Sequence, residues 1–402
     1  MATAIADRLI ATHSSEHQHK RLDHLDALRG IAAIIVVAKH YVDAFGLPGW
    51  DRAMAHSPLG IWWDGPAAVS FFFVLSGLVL AFRHFRTTPT PDLAGFDYPG
   101  YIVARFCRIW LPYLAVLLIT IPLVRLSAQG VATLPASTPW FASIWQGRIT
   151  VGSLLRQVFD LRVVAAGDGL NLLIPQAWTL IVEVVMSLLI PCGVLIAARS
   201  TAWLLGTAFL AATLTGMSPF VLHFAIGIAL AKHYRAIVDH LEPRPITRAA
   251  LALVALLLAT FDLYKPAIPP LTHILFDLDA QALGSALIIA VVSASPTLRN
   301  ALARGLPHLI GRISFSLYLI HIIILFTLTP RLLHLMGRSS TTLNWTVGLA
   351  FTIAASVAVS IPLYRYVEVP TMALGKRITG RARSSPATQG EARGSEPIAR
   401  IN

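Results

Sequence analysis

"LDALRGIAAIIVVAKHY", Leu25 to Tyr41, is an apolar run long enough for a buried helix, yet it holds an arginine and closes on a lysine and a histidine. Arg29 and His40 are eleven residues apart. At 100° per residue the separation is about 1100°, roughly 20° past three full turns, so both side chains share one helix face. The rise is about 16 Å, which places His40 near mid-membrane when Arg29 sits at the inner edge. Ionisable groups are costly in hydrocarbon and tend to mark function there. Asp43 lies one turn beyond His40 and is placed to orient its ring; Lys39 points elsewhere and reaches Asp43 at i,i+4. The plainer reading is a packing histidine bonded to a neighbouring helix, but it leaves Arg29 on the same face unexplained.

The rest of the chain sets this helix in a membrane. The 402 residues have a mean hydropathy of +0.67, 55% are hydrophobic and only 13% are charged. A soluble domain carries about a quarter charged residues. The expected fold class is therefore an all-α polytopic membrane protein. About ten apolar stretches have the length of a span, near 28–46, 64–83, 108–126, 176–197, 201–216, 218–234, 248–264, 273–293, 311–329 and 345–366. With the N-terminus inside, Arg and Lys outnumber those of the outer segments by roughly three to one, giving N-in and C-in by the positive-inside rule. The formal charge of +12 then reflects inner loops rather than nucleic-acid binding. The expected organisation is a disordered cytoplasmic arm at 1–21, a membrane domain at 22–370 and a disordered cytoplasmic tail at 371–402. No secretory signal opens the chain. The histidines of the arm have no spacing that fixes a metal geometry, and no metal is expected. Cys107 and Cys192 fit neither a disulfide framework nor a zinc pattern and read as buried filler. The long outer loop, about 127–175, is placed to cover a site.

Other polar groups punctuate these stretches. Glu183, in "QAWTLIVEVVMSLLIP", lies about seven residues or 10 Å in from the outer face, so it is expected level with His40 and beside it. The alternative is an ion pair to an arginine or lysine. Trp178 reads as belt or packing. Ser76-Gly77 reads first as a small pair that admits a close helix crossing and second as a reactive serine. Arg105 and Arg108, at i,i+3 on the inner mouth of a span, are either topology anchors or a clamp for an anion. Tyr318 and His321 share a face one turn apart, beside Ser314 and Ser316, and interhelical hydrogen bonding is the plainer account.

Taken together, "LDALRGIAAIIVVAKH", "FFFVLSGLVL", "RFCRIWLPY", "AWTLIVEVVMSLLIP" and "ISFSLYLIH" resemble, in order and across roughly 22–370, the acyltransferase-3 family of integral-membrane acyltransferases. The resemblance implies transfer of an acyl group, typically acetyl from acetyl-CoA, to a hydroxyl of a carbohydrate, a lipid-linked glycan or a similar acceptor. It implies that His40 is the family's essential histidine and Arg29 its paired arginine. Arg105 and Arg108 match its RxxR element, Ser76 its SG motif and Glu183 its acidic position. Asp43, Trp178, Tyr318 and His321 are the expected supporting residues. Where members often carry a bulky aromatic pair after the acidic position, this chain has Met186-Ser187. The implied partners are acyl-CoA, the acceptor and the bilayer of the plasma (inner) membrane.

The chemistry fits these residue types. Acyl transfer to a hydroxyl needs a base and stabilisation of a developing oxyanion. A histidine of ordinary pKa near 6.5 suits the first task. The rival is a proton-coupled transporter or exporter of a small polar solute, with His40 and Glu183 as the relay; the two halves show no matching pair of broken helices, as such transporters often do. The topology has its own test once Cys107 and Cys192 are replaced. A cysteine placed within 236–243 should be protected from an impermeant thiol reagent added outside, and one within 132–139 should react. The reverse pattern would invert the orientation.

Overall fold

The computed structural model describes residues 23–47, 57–86, 88–127, 137–145, 150–159, 172–214, 219–265, 277–337 and 341–380. Within them the chain is helical, with no strand. The helices are α1 (Asp23–Phe45), α2 (Gly65–Phe85), α3 (Tyr98–Ser127), α4 (Pro139–Ser143), α5 (Val151–Phe159), α6 (Trp178–Arg199), α7 (Thr201–Leu214), α8 (Phe220–Leu241), α9 (Pro245–Ala259), α10 (Phe261–Tyr264), α11 (Asp277–Ser293), α12 (Pro296–Leu302), α13 (Gly305–Met336), α14 (Thr341–Leu363) and α15 (Val369–Ile378).

Each expected apolar stretch falls on a helix where it is described, but they are not equivalent. Six helical segments are long and apolar enough to cross a bilayer: Gly65–Phe85, Tyr98–Val124, Pro175–Arg199, Phe220–Leu241, Gly305–Met336 and Thr342–Ile378. The pair α11 and α12, bent by 95°, makes a seventh if counted as one span. Thr201–Thr213 and Pro245–Ala259 are apolar but shorter. The 23 residues of α1 rise about 34 Å, enough to cross, but Asp26, Arg29, Lys39 and Asp43 keep it apart in composition.

Backbone approach organises the bundle. In α1 and α13, Gly30 meets the backbone of Ile310 and Gly311, and Gly311 meets that of Asp26 and Ala27; a Cβ on Gly30 would lie 2.6 Å from the Gly311 nitrogen. From this crossing the two helices run parallel, since His40 also meets His321. The pair α2 and α8 repeats the arrangement. Gly77 lies against the Phe224 carbonyl and Gly227 against that of Val74. Ring contacts Phe73–Phe220 (4.5 Å) and Phe82–Tyr234 (5.1 Å) show that these helices also run parallel. Small residues allow such approach, and dispersion then holds the helices together in a medium as apolar as their side chains. The expected role of the Ser76-Gly77 pair as a crossing point is thus met by Gly77.

The pair α3 and α6 is antiparallel. Tyr98 and Tyr101 donate to the carbonyls of Leu188 and Ser187, both at 2.9 Å, and Arg105 reaches Glu183 one turn further on. At the far end of α1, Tyr41 donates to the Trp345 carbonyl (2.9 Å) and the Trp345 indole to that of Gly46 (2.8 Å).

One described helix crosses the expected boundary at 370. The chain does not leave the bundle at 370: a π turn, Tyr364–Glu368, leads into α15, where Gly375 packs on Ala104 and Cys107. The basic residues Lys376 and Arg377 make this segment look polar, but one side of it is seated on α3. The expected arm and the tail beyond 380 lie outside the described residues. Cys107 is buried, whereas Cys192 is exposed on the outside of α6, where an apolar thiol faces lipid without cost.

Gly227→Val should lower the melting temperature in detergent, because the added carbons meet backbone rather than a movable side chain; overpacking of this kind costs about 1–3 kcal/mol or more. Gly206→Val, with nothing within 4 Å of its Cβ, is the control that should melt like the parent. Equal melting of both variants would remove the crossing from the account of stability.

Candidate active site

Two cavities lie end to end along α1. The first, about 330 Å³, takes in Arg29, Ser76, Arg105, Arg108 and Glu183, with an apolar side that includes Phe72 and Leu80. The second, about 310 Å³, takes in Lys39, His40, Asp43, Gln176, Trp178 and Phe220. Val69, Thr179 and Tyr318 line both. They form the wall between an arginine-rich chamber and a histidine chamber. The shared helix face of Arg29 and His40 explains the order, with one residue in each chamber.

The wall is held by hydrogen bonds. The hydroxyls of Thr179 and Tyr318 are 2.6 Å apart, and Thr179 donates to the Gln176 carbonyl at 3.0 Å. The Gln176 amide donates to the carbonyls of Tyr318 and Leu319 at 3.1 and 3.2 Å. This fixes the start of α6 against α13.

Each arginine of the first chamber has an acidic neighbour. Arg29 pairs with Asp26 at 2.7 Å. Arg105 pairs with Glu183 at 2.8 Å and shares Ser187 at 3.2–3.3 Å. Glu368, buried and brought in by the π turn, accepts from Ser316 at 2.7 Å and interacts electrostatically with Arg108 and Arg29. Arg105 is buried, whereas Arg108 is exposed with its guanidinium 3.5 Å from the Met372 sulfur, a weak contact.

Glu183 therefore does not stand beside His40, as its place in the sequence suggested. From His321 to Tyr318 is three residues, Tyr318 touches Thr179, and from Thr179 to Glu183 is four. At 1.5 Å per residue these steps put Glu183 about 10 Å from the level of His40, toward Arg29. The reason is where α6 begins. Its first residue, Trp178, packs on Phe220 (5.7 Å), which packs on Phe73, eight residues into α2. The helix starts deep in the bundle rather than at the surface, which lowers every residue after it. Trp178 is accordingly a cavity residue, not a belt residue.

His40 has a different neighbour. Its Nδ1 is 2.9 Å from the Val36 carbonyl and 3.1 Å from Nε2 of His321, whose Nδ1 is 2.8 Å from the Tyr318 carbonyl. Asp43 accepts from Lys39 instead, the i,i+4 pair read from the sequence. From the segment between α3 and α6, the Thr138 hydroxyl donates to the Asp43 carbonyl and its amide to that of Ala44 (2.9 Å), which brings the Trp140 ring to 5.8 Å from that of His40. That part of the loop sits over the site.

Residues 22–365 match the family described as an acyltransferase domain. The chain belongs to the acyltransferase-3 family. No curated protein and no solved structure matches it. As a family member it is a membrane acyltransferase, with His40, Arg29, Arg105, Arg108, Ser76 and Glu183 gathered along two adjoining chambers. Among the described residues no cluster of three or more His, Cys, Asp or Glu is placed to hold a metal ion. Sequence reasoning missed Gln176, Thr179, Ser187 and Glu368. Of these only Glu368, a carboxylate within "PLYRYVEVP", carried a charge signal.

Glu183→Gln should leave Arg105 without its countercharge and lower thermal stability, by about 1–2 kcal/mol after discounting the usual cost of breaking a buried pair for partial exposure. Melting curves of the purified protein check this. An unchanged melting temperature would show that the pair contributes nothing to the fold.

Proposed function

We propose that the protein moves an acyl group, acetyl by the size of the chambers and the family's habit, from acyl-CoA to a hydroxyl of a carbohydrate or lipid-linked glycan in the plasma (inner) membrane. The observation that carries this reading is the adjacency of the two chambers across one thin wall, with cations on one side and a histidine on the other. The donor is a polyanion made in the cytosol, so the arginine chamber faces inward, with α1 crossing the bilayer and both chain ends inside.

Arg108, exposed at the mouth, and Arg29 and Arg105 within take the donor's phosphates. Arginine suits this because its planar fork grips a phosphate with two parallel hydrogen bonds. The pantetheine arm follows the apolar side of the chamber, and the thioester rests at the wall. There the Tyr318 hydroxyl, turning away from its protein acceptors, is the donor for the oxyanion, while Thr179 stays bonded to the Gln176 carbonyl. The acceptor enters the second chamber, where Trp178 offers an apolar face and the Lys39–Asp43 pair offers polar contacts. His40 takes the hydroxyl proton as the oxygen attacks the thioester carbon. The thiolate leaves and takes that proton from His40, giving CoA thiol. A preliminary transfer of the acyl group to His40 itself uses the same residues and the same wall.

The transporter reading rests on His40 and Glu183 sharing a proton relay. Glu183 lies in the other chamber against Arg105, so that relay lacks its second member.

Purified protein supplied with acetyl-CoA and an acceptor glycan should release CoA thiol, which a transporter does not. His40→Ala should slow release by about 10²–10⁴-fold, the usual contribution of a positioned base, with donor binding retained. Near-normal turnover in that variant would remove His40 from the mechanism. Arg105→Ala or Arg108→Ala should instead weaken donor binding, by about 1.5–3 kcal/mol or roughly tenfold and more, in a direct titration. Unchanged affinity in both would make them topology anchors only.

A further inference from the structure

Against His40, behind the wall of its chamber, lies a second histidine that the reading above leaves unused. His321 is fully buried in α13, and its ring centroid lies 5.0 Å from that of His40. The chemistry of the contacts fixes where the protons are. Nδ1 of His321 faces the carbonyl oxygens of Tyr318 (2.8 Å) and Leu317 (3.3 Å). A carbonyl can only accept, so this nitrogen carries the proton, and in the neutral ring Nε2 carries the lone pair. That lone pair faces Nδ1 of His40 at 3.1 Å. The other neighbour of His40 Nδ1 is the Val36 carbonyl at 2.9 Å, again an acceptor. The His40 Nδ1 is therefore protonated, with its hydrogen shared between two acceptors. Its Nε2 is the unprotonated nitrogen, the one a base must present.

We infer that His321 is a positioning residue that sets the tautomer of His40 and shares the positive charge formed when His40 takes the acceptor's proton. The inference rests on the acyltransferase reading. In the transfer step the acceptor O–H bond breaks; its proton goes to Nε2 of His40 and its electron pair to the new C–O bond. The C–S bond breaks and the thiolate takes that pair. While the proton resides on Nε2, the His40 Nδ1–H is held by the lone pair of His321. The proton then passes from Nε2 to sulfur, and both rings return to their starting forms. In soluble triads a carboxylate holds the imidazole in this way. Here a neutral ring does the same without burying a negative charge at that depth, which hydrocarbon would penalise. Glu183 and Asp43, the carboxylates nearest in sequence logic, are engaged by Arg105 and Lys39. Val36 O and His321 Nε2 are the groups that hold the His40 Nδ1–H.

Two amide substitutions separate the roles of the His321 nitrogens. In His321→Asn the amide falls where Nδ1 was, so the bond to Tyr318 survives and the acceptor for His40 is lost. In His321→Gln the amide reaches the place of Nε2 and its oxygen accepts from His40. The Asn variant should lose about 100-fold or more in kcat with KM for acetyl-CoA unchanged, and the Gln variant should recover to within about tenfold of the parent. Equal losses in both, or a loss that appears in KM, would reduce His321 to packing. Full activity of His321→Asn beside an inactive His40→Ala would remove His321 alone, an active His40→Ala would remove His40 and with it this inference, and a parent that releases no CoA thiol would overturn the enzyme reading itself. Independently of how either variant folds, the histidine ¹⁵N spectrum of the parent minus that of His40→Ala should show Nδ1 protonated and Nε2 bare at neutral pH. The opposite tautomer would sink the inference.

Discussion

A charged side chain inside a bilayer has to find its countercharge within the protein, because the solvent around it offers none. Much of this structure follows from that requirement. Three arginines line the first chamber, and Asp26, Glu183 and Glu368 are brought to them from α1, α6 and the π turn after α14. Lys39 is answered within its own helix by Asp43. His40 and His321 escape the requirement by being neutral partners, one giving a hydrogen and the other a lone pair. The pairing also keeps the arginine chamber close to electroneutral when it is empty. Under the proposed function, a donor's phosphates exchange with protein carboxylates rather than meeting bare charge, and the spent donor is released as readily.

The chambers exist because helices of unequal reach are packed around two tight parallel crossings. Gly30 with Gly311 and Gly77 with Gly227 bring α1 to α13 and α2 to α8 closely enough to act as rigid rails. Beside those rails α6 and α8 start deep, at Trp178 and Phe220, so their first turns become walls and not membrane-surface anchors. Gln176 and Thr179 then fasten that deep start to α13. The same arrangement creates the histidine chamber and the partition that separates it from the cations.

The parts legible in the sequence are those that hydropathy and helical phase can report. The apolar stretches fall on helices, and the phase of Arg29 and His40 along one helix places them in successive chambers. The i,i+4 reach of Lys39 to Asp43 is a local rule and appears in the structure. Depth was not legible where a helix begins away from the surface. Glu183 was assigned to the level of His40 only because α6 was given a surface start, and it lies instead with Arg105. Long-range partners were equally hidden. Nothing in "ISFSLYLIH" says which helix His321 will touch, and Gln176 and Thr179 carry no charge to draw notice. Glu368 was obscured by its surroundings, since a span that ends among Arg365, Tyr366 and Lys376 reads as an exit from the membrane.

The contact between α1 and α13 joins residues 281 positions apart. Ribosomes add about 5–20 residues per second, so roughly 15–60 s pass between synthesis of His40 and synthesis of its partner. During that interval α1, the most polar of the long helices, has no Gly311 backbone to pack on and no ring to receive its hydrogen bond. It has to wait at the insertion machinery, or against α2 alone, while the rest of the bundle is made. The two-histidine contact is thus assembled late, from the first and nearly the last of the long helices described, and a chain released before α13 is complete carries His40 with no partner ring beside it.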